Sequence, residues 1–269
     1  LEENYRSTKN ILDAAHMVIT KNEQRSDKEL WTKAGAGSPV QIIQVQSEAH
    51  EGESIITKIK TQVDMRLRPY RDFAVLYRTN AQSRNLEEVF LRYGVPYRIV
   101  GGTRFYDRKE IKDILAYIRL IYQPQDRTSF LRIVNVPARG VGAKSLEKFF
   151  AWAEANQLSL SQALNQAQLC TAVTGKAFTG LVTLGNLLTD LRNQAPSTNE
   201  ADDDRMPLSI SQFVEAVIRR TGYQESLDDG SLQAGDRIEN VKELITVAKE
   251  YDGVGLDQFL EEVALLSGL

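Results

Sequence analysis

Four stretches of this sequence set ligand-grasping side chains beside backbone that can present them. The first is Asn4-Tyr5-Arg6-Ser7-Thr8. A tyrosine ring can stack on a nucleobase while the neighbouring guanidinium forks onto a phosphate. The same residues equally suit a plain helix start, with Asn4 or Ser7 as the cap and Tyr5 packed locally. The second stretch is FAVLYRTNAQSR, residues 73–84, where an apolar run ends abruptly in Arg78, Thr79, Asn80, Gln82, Ser83 and Arg84. Ligands of open α/β sheets gather at the carboxyl ends of strands, and these side chains would offer hydrogen bonds and positive charge to phosphates and sugars. A helix capped by Thr79 or Asn80, with solvated arginines, fits the same residues.

The third stretch is YRIVGGTRFYDRKEIKD, residues 97–113. Gly101 and Gly102 relax the backbone there, as a hinge or as a tight turn that needs positive φ. The fourth is NVPARGVGAKSL, residues 135–146, in which one helix runs into Gly140-Val141-Gly142 and another leaves it. This is the pattern of a helix-hairpin-helix. Its glycines let backbone approach a phosphate, the next helix start points amides at the anion, and Arg139 and Lys144 add charge. A glycine-rich turn without a ligand has the same spacing. Gly253-Val254-Gly255 looks similar but lacks basic neighbours and reads as an inter-helix turn, and the acidic residues Glu147, Glu154, Glu243 and Glu261 read as solvated helix faces.

The elements that would position these groups follow from periodicity. Apolar residues at helical spacing predict helices over residues 4–20, 50–64 and 80–93, and runs of buried-strand type predict strands at 40–45, 73–77 and 97–100. Strands separated by such helices predict an α/β fold with a parallel sheet, thin for a complete domain at three strands. After Gly102 the pattern is helical only, over 111–121, 129–134, 145–156, 177–193, 210–220, 235–251 and 256–266. The polar, acidic stretch 196–205 reads as a surface loop. The expected organisation is therefore an α/β part at 1–104 and a mainly α-helical accessory domain at 105–269.

Bulk properties narrow the function classes. The 269 residues carry a net charge of −3, so contact with nucleic acid must come from local patches within an acidic whole. One cysteine, Cys170, excludes an internal disulfide framework, and with only His16 and His50 beside it a structural zinc site is not expected. No apolar run reaches the roughly 20 residues of a membrane span. Leu1 is not a methionine, and both ends read as cuts in a longer protein.

Taken in order, the segments resemble superfamily 1 DNA helicases of the UvrD/PcrA/Rep type along nearly the whole chain. NYRST is similar to helicase motif IV, and FAVLYRTNAQSR to the next marker of the second motor domain, 2A. YRIVGGTRFYDRKEIKD resembles the exit into the inserted accessory domain, 2B. PARGVG resembles that domain's duplex-holding turn, and RIENVKEL at 237–244 another of its signatures.

The resemblance implies a partial RecA-like sheet, with Tyr5 stacking on adenine and Arg6 reaching the γ-phosphate as a catalytic arginine. It further implies single-strand contacts by Arg78 and Asn80, duplex contacts by Arg139, Gly140, Gly142 and Lys144, and a hinge at Gly101 and Gly102. For the parent protein it implies ATP and Mg²⁺, single-strand and duplex DNA, 3′ to 5′ movement, repair or replication, and a cytoplasmic, nucleoid-associated setting without membrane attachment. This chain carries no G-x-x-x-x-G-K-[ST] loop and no recognisable Asp-Glu pair for Mg²⁺. It is therefore expected to hold no cofactor and to be inactive without a first motor domain. The competing expectation is a stand-alone duplex-DNA or protein-interaction module without a motor; a nuclease-associated motor fits NYRST and YDRKEIKD less well.

Overall fold

The computed structural model describes residues 2–23, 29–196 and 208–267. The chain divides into two compact units, Leu1–Glu51 and Gly52–Leu269. Of the acidic stretch 196–205, only Pro196 lies within the described residues.

The first unit is organised by α1, Lys9–Ile19, with Leu12 as its buried side chain. A helix start leaves backbone N–H groups without intrahelical partners. Here the carbonyls of Gly35 and Ala36 accept from the amides of Lys9 and Asn10 at 3.2 and 3.1 Å. Gly37, at φ +70°, completes the contact, because a Cβ there would run into the Thr8 side chain.

Most of α2 (Glu48–Asp64) belongs to the second unit, where its Ile56 shares a small apolar cluster with Val89 of α3 (Ser83–Arg92) and with Val95, flanked by Tyr70 and Phe90. Gly52 permits the close approach of the two helices, since an added Cβ would sit 2.7 Å from a methyl of Val89. Gly94, at φ +64°, stops α3, and the Val95 amide turns back to the Phe90 carbonyl at 2.9 Å.

From Phe105 onward most of the buried apolar residues join one continuous core. Its centre is α4, Lys109–Tyr122, which buries ten of its 14 residues. A helix hydrophobic on most of its circumference must be surrounded, and α4 meets helices α5 (Arg127–Ile133), α8 (Gly175–Gln194), α9 (Ile210–Arg220), α11 (Ala234–Lys249) and α12 (Leu256–Ser267). The remaining helices are α6 (Ala143–Ala155), α7 (Leu160–Asn165) and α10 (Tyr223–Leu227). Gly185 lets α8 lie against α7, because a Cβ there would strike the Leu164 carbonyl oxygen.

The expected α/β part is not found. Among the described residues there is no sheet, only an isolated parallel bridge between Glu3 and Trp31, and the chain is mainly helical. The stretches 40–45, 73–77 and 97–100 form no strand. An apolar, β-branched run states a preference for extended backbone, whereas a strand exists only when its N–H and C=O groups meet those of a neighbour. These runs join no ladder, and several of their side chains are open: Ile42 is 97% exposed, Leu76 89% and Val100 80%. The second and third runs, with Phe73, Val75, Tyr97 and Ile99, line an open groove of about 920 Å³ beside α2 and α3.

Candidate nucleic-acid interface

The motif at residues 4–8 is shaped by one side chain. Asn4 Oδ1 accepts from the backbone amides of Arg6 and Ser7, both at 2.9 Å, which folds the chain into a turn just ahead of Thr8, the residue that caps α1. The turn leaves Tyr5 84% exposed. Its hydroxyl donates to Glu3 Oε2 at 2.8 Å, and that carboxylate holds the phenol above its usual pKa. Arg6 is exposed as well. An open aromatic face next to an open guanidinium is the pairing that a base and a phosphate require.

Residues 78–84 form a second polar cluster. Gln82 Oε1 accepts from the amides of Arg78 and Thr79 at 2.9 and 3.1 Å, fixing the turn Asn80–Gln82 that leads into α3. Arg78 remains exposed. Asn80 is exposed too, but its Nδ2 donates to Asp236 Oδ2 of α11 at 3.1 Å.

Arg84, with a side chain 5% exposed, is buried among carboxylates: Glu243 at 2.6 Å, Glu88 at 3.0 Å and Glu250 at 3.5 Å. Burial opposes its charge, and the three glutamates outweigh that. Arg108 lies in the same seam, donating to Asn240 Oδ1 and Ser83 Oγ, both at 2.8 Å, while Asn240 donates to Glu110 at 2.6 Å. Glu87 accepts from Ser83 Oγ at 2.7 Å and from the Phe105 amide at 3.2 Å, yet burial still pushes its carboxyl up. Glu243, expected on a solvated face, is thus a partner of a buried arginine. Its match to Arg84, 159 positions away, has no local sequence signal.

Gly101, at φ +83°, and Gly102 are both exposed and lie between the small cluster around Val89 and the large helical core. A Cβ at Gly101 would meet nothing within 4 Å, so only the backbone conformation calls for glycine there.

The Gly140-Val141-Gly142 turn joins the end of the α5 region to α6. Asn135 Oδ1 accepts from the amides of Arg139 and Val141 at 2.7 and 3.1 Å, and Val141 is anchored in the core. Gly140 adopts φ +76°, with Lys176 of α8 beside it. Gly142 is the extended residue that begins α6, and it faces open space. Lys144 is exposed in the first turn.

Arg139 points inward. Its guanidinium donates to the carbonyls of Ile133 and Pro137 at 3.1 and 3.2 Å and to the Tyr117 hydroxyl at 2.6 Å. Burial pushes the Tyr117 phenol up to about 12, against the pull of that arginine. Gly140, Gly142 and Lys144 are therefore presented together at the surface, and Arg139 braces the turn from behind.

Among the described residues no group of three His, Cys, Asp or Glu side chains is placed to hold a metal ion, and no helix is long and apolar enough to cross a membrane.

The sequence matches the family described as "UvrD-like helicase C-terminal domain" over residues 1–268. It is 42% identical to an ATP-dependent DNA helicase PcrA of Bacillus subtilis (strain 168) over 274 residues, covering 100% of this chain and 36% of that protein. A PcrA helicase of Leuconostoc citreum is 40% identical over 255 residues, covering 94% of this chain and 32% of its own. One from Staphylococcus epidermidis is 38% identical over 273 residues, covering 100% and 35%. The chain spans about a third of the length of these curated relatives. On the match over nearly its full length, the chain belongs to the UvrD-like helicase C-terminal domain family.

Proposed function

We propose that this chain supplies part of the nucleotide cleft and the DNA-holding accessory region of an ATP-dependent DNA helicase or translocase moving 3′ to 5′ in repair or replication. The observation that carries the reading is the turn at Asn4, which projects Tyr5 and Arg6 side by side into solvent. In this reading Tyr5 stacks on adenine, and Arg6 bears on the γ-phosphate, offsetting the charge that develops as the phosphoryl group transfers. Mg²⁺ and the phosphate loop come from a first motor domain outside this chain. Arg78 and Asn80 contact the translocated single strand. Gly140 and Gly142 offer backbone to duplex phosphates, with Lys144 adding charge and Arg139 acting through the turn it braces. Gly101 and Gly102 serve as the hinge between residues 1–104 and 105–269.

The test is Arg6→Ala in the full-length protein. Single-strand-stimulated ATP turnover should fall by roughly 10³-fold, with ATP affinity changed far less. Turnover within a few-fold of the unaltered protein would remove Arg6 from the mechanism.

A second reading, a stand-alone duplex-DNA module, is favoured by the continuous core from Phe105 to Val263, which needs no apolar residue before position 105. A full-length protein that binds duplex but neither binds nor hydrolyses ATP would select it.

A further inference from the structure

One face of α11 meets the donor side chains of Asn80 and Arg84. Asp236, Asn240 and Glu243 follow one another at spacings of four and three residues, so they share one side of the helix. Asp236 takes the Asn80 amide at 3.1 Å, and Glu243 takes the Arg84 guanidinium at 2.6 Å. An amide N–H and a guanidinium are also the groups that proteins aim at phosphodiester oxygens. The two contacts differ in depth. Arg84 is buried and has two further carboxylate partners, whereas Asn80 and Asp236 are both exposed and joined by a single hydrogen bond.

We propose that Asp236 is a gate carboxylate: it occupies the Asn80 amide as a stand-in for a DNA phosphate, and a nucleic-acid strand must displace it to bind. The inference rests on the reading of Asn80 as a single-strand contact. It makes Asp236 a positioning residue that sets the threshold for strand entry. A carboxylate is a natural competitor because it presents acceptor oxygens and negative charge in the place a phosphate would take. Any strand bound at Asn80 would also lie against that charge until α11 gives way.

The experiment is a fluorescence titration of a labelled oligo-dT by the full-length protein at one fixed salt concentration, since phosphate contacts are salt-dependent. Asp236→Ala should tighten binding by roughly two- to tenfold, the range expected when one competing hydrogen bond is removed. Asn80→Ala should weaken binding, and adding Asp236→Ala to it should restore nothing. Glu239→Ala, which removes an exposed carboxylate of the same helix that pairs with Lys242, should leave affinity unchanged.

Tightening by Asp236→Ala that persists without Asn80, or that Glu239→Ala reproduces, would overturn the gate in favour of general charge repulsion. Weakening by Asn80→Ala with no effect of Asp236→Ala would also overturn it, while leaving the single-strand reading intact. No effect of Asn80→Ala would remove that reading and the gate together. Asp236 is exposed and outside the core, so circular dichroism of each variant should match the parent, and tighter binding is not an outcome that misfolding produces.

Discussion

The seam around Arg84 makes a graded prediction about stability. Its guanidinium is almost fully buried and faces Glu88, with a side chain 14% exposed, Glu243 at 18% and Glu250 at 56%. Arg84→Ala leaves two largely buried carboxylates without their counter-charge, a change that costs about 3–5 kcal/mol. For a cooperative unit of this size each kcal/mol lowers the melting temperature by about 2–4 °C, so the midpoint should fall by roughly 6–20 °C. Glu250→Gln removes only the solvated member of the group and should cost less than about 1 kcal/mol. Glu243→Gln should fall between them, because Glu88 still balances the guanidinium. Urea unfolding of the 269-residue chain, followed by circular dichroism, gives the three differences on one scale. A cost for Arg84→Ala no larger than that for Glu250→Gln would refute the claim that this charge network holds α3 to α11.

Two further substitutions probe the helical region. Gly142→Asp places an anion beside the proposed duplex phosphates, and duplex affinity should drop by roughly tenfold or more; the site faces open space and aspartate is a favourable residue at a helix start, so an unchanged melting point with unchanged affinity would exclude the turn as the contact. Gly185→Ala forces a methyl into the Leu164 carbonyl and should destabilise the chain by about 1–3 kcal/mol, whereas a neutral or stabilising effect in the same urea assay would show that α7 and α8 do not pack this closely.

Helices were legible wherever apolar periodicity ran for three turns or more. The stretch predicted at 210–220 coincides with α9, Ile210–Arg220, whose start is marked by Ser209 and Gln212 as reciprocal caps. The short helices α7 and α10 fall outside the predicted stretches. A local signal for α7 was nonetheless present in Ser159 and Gln162, the same capping pair. The three strands failed for want of a partner. Their composition speaks only of the chain they lie in, while pairing depends on a partner that nothing within 40–45, 73–77 or 97–100 encodes.

The site divides in the same way. The exposed turn at residues 4–8 and the glycines at 140 and 142 follow from local residue types. By contrast, the inward turn of Arg139 toward Tyr117 and the contacts of Asn80 and Arg84 with α11 join residues 22 to 159 positions apart. Burial and counter-charge decide those, and neither is written in the neighbouring sequence.

If Tyr5 and Arg6 form one side of a nucleotide cleft that another lobe completes, steady-state ATP turnover of the 269-residue chain alone, with Mg²⁺ and single-stranded DNA present, is the decisive assay. Hydrolysis should stay at the rate of buffer until the rest of the protein is supplied. Sustained turnover by the isolated chain, abolished by Arg6→Ala, would contradict that arrangement.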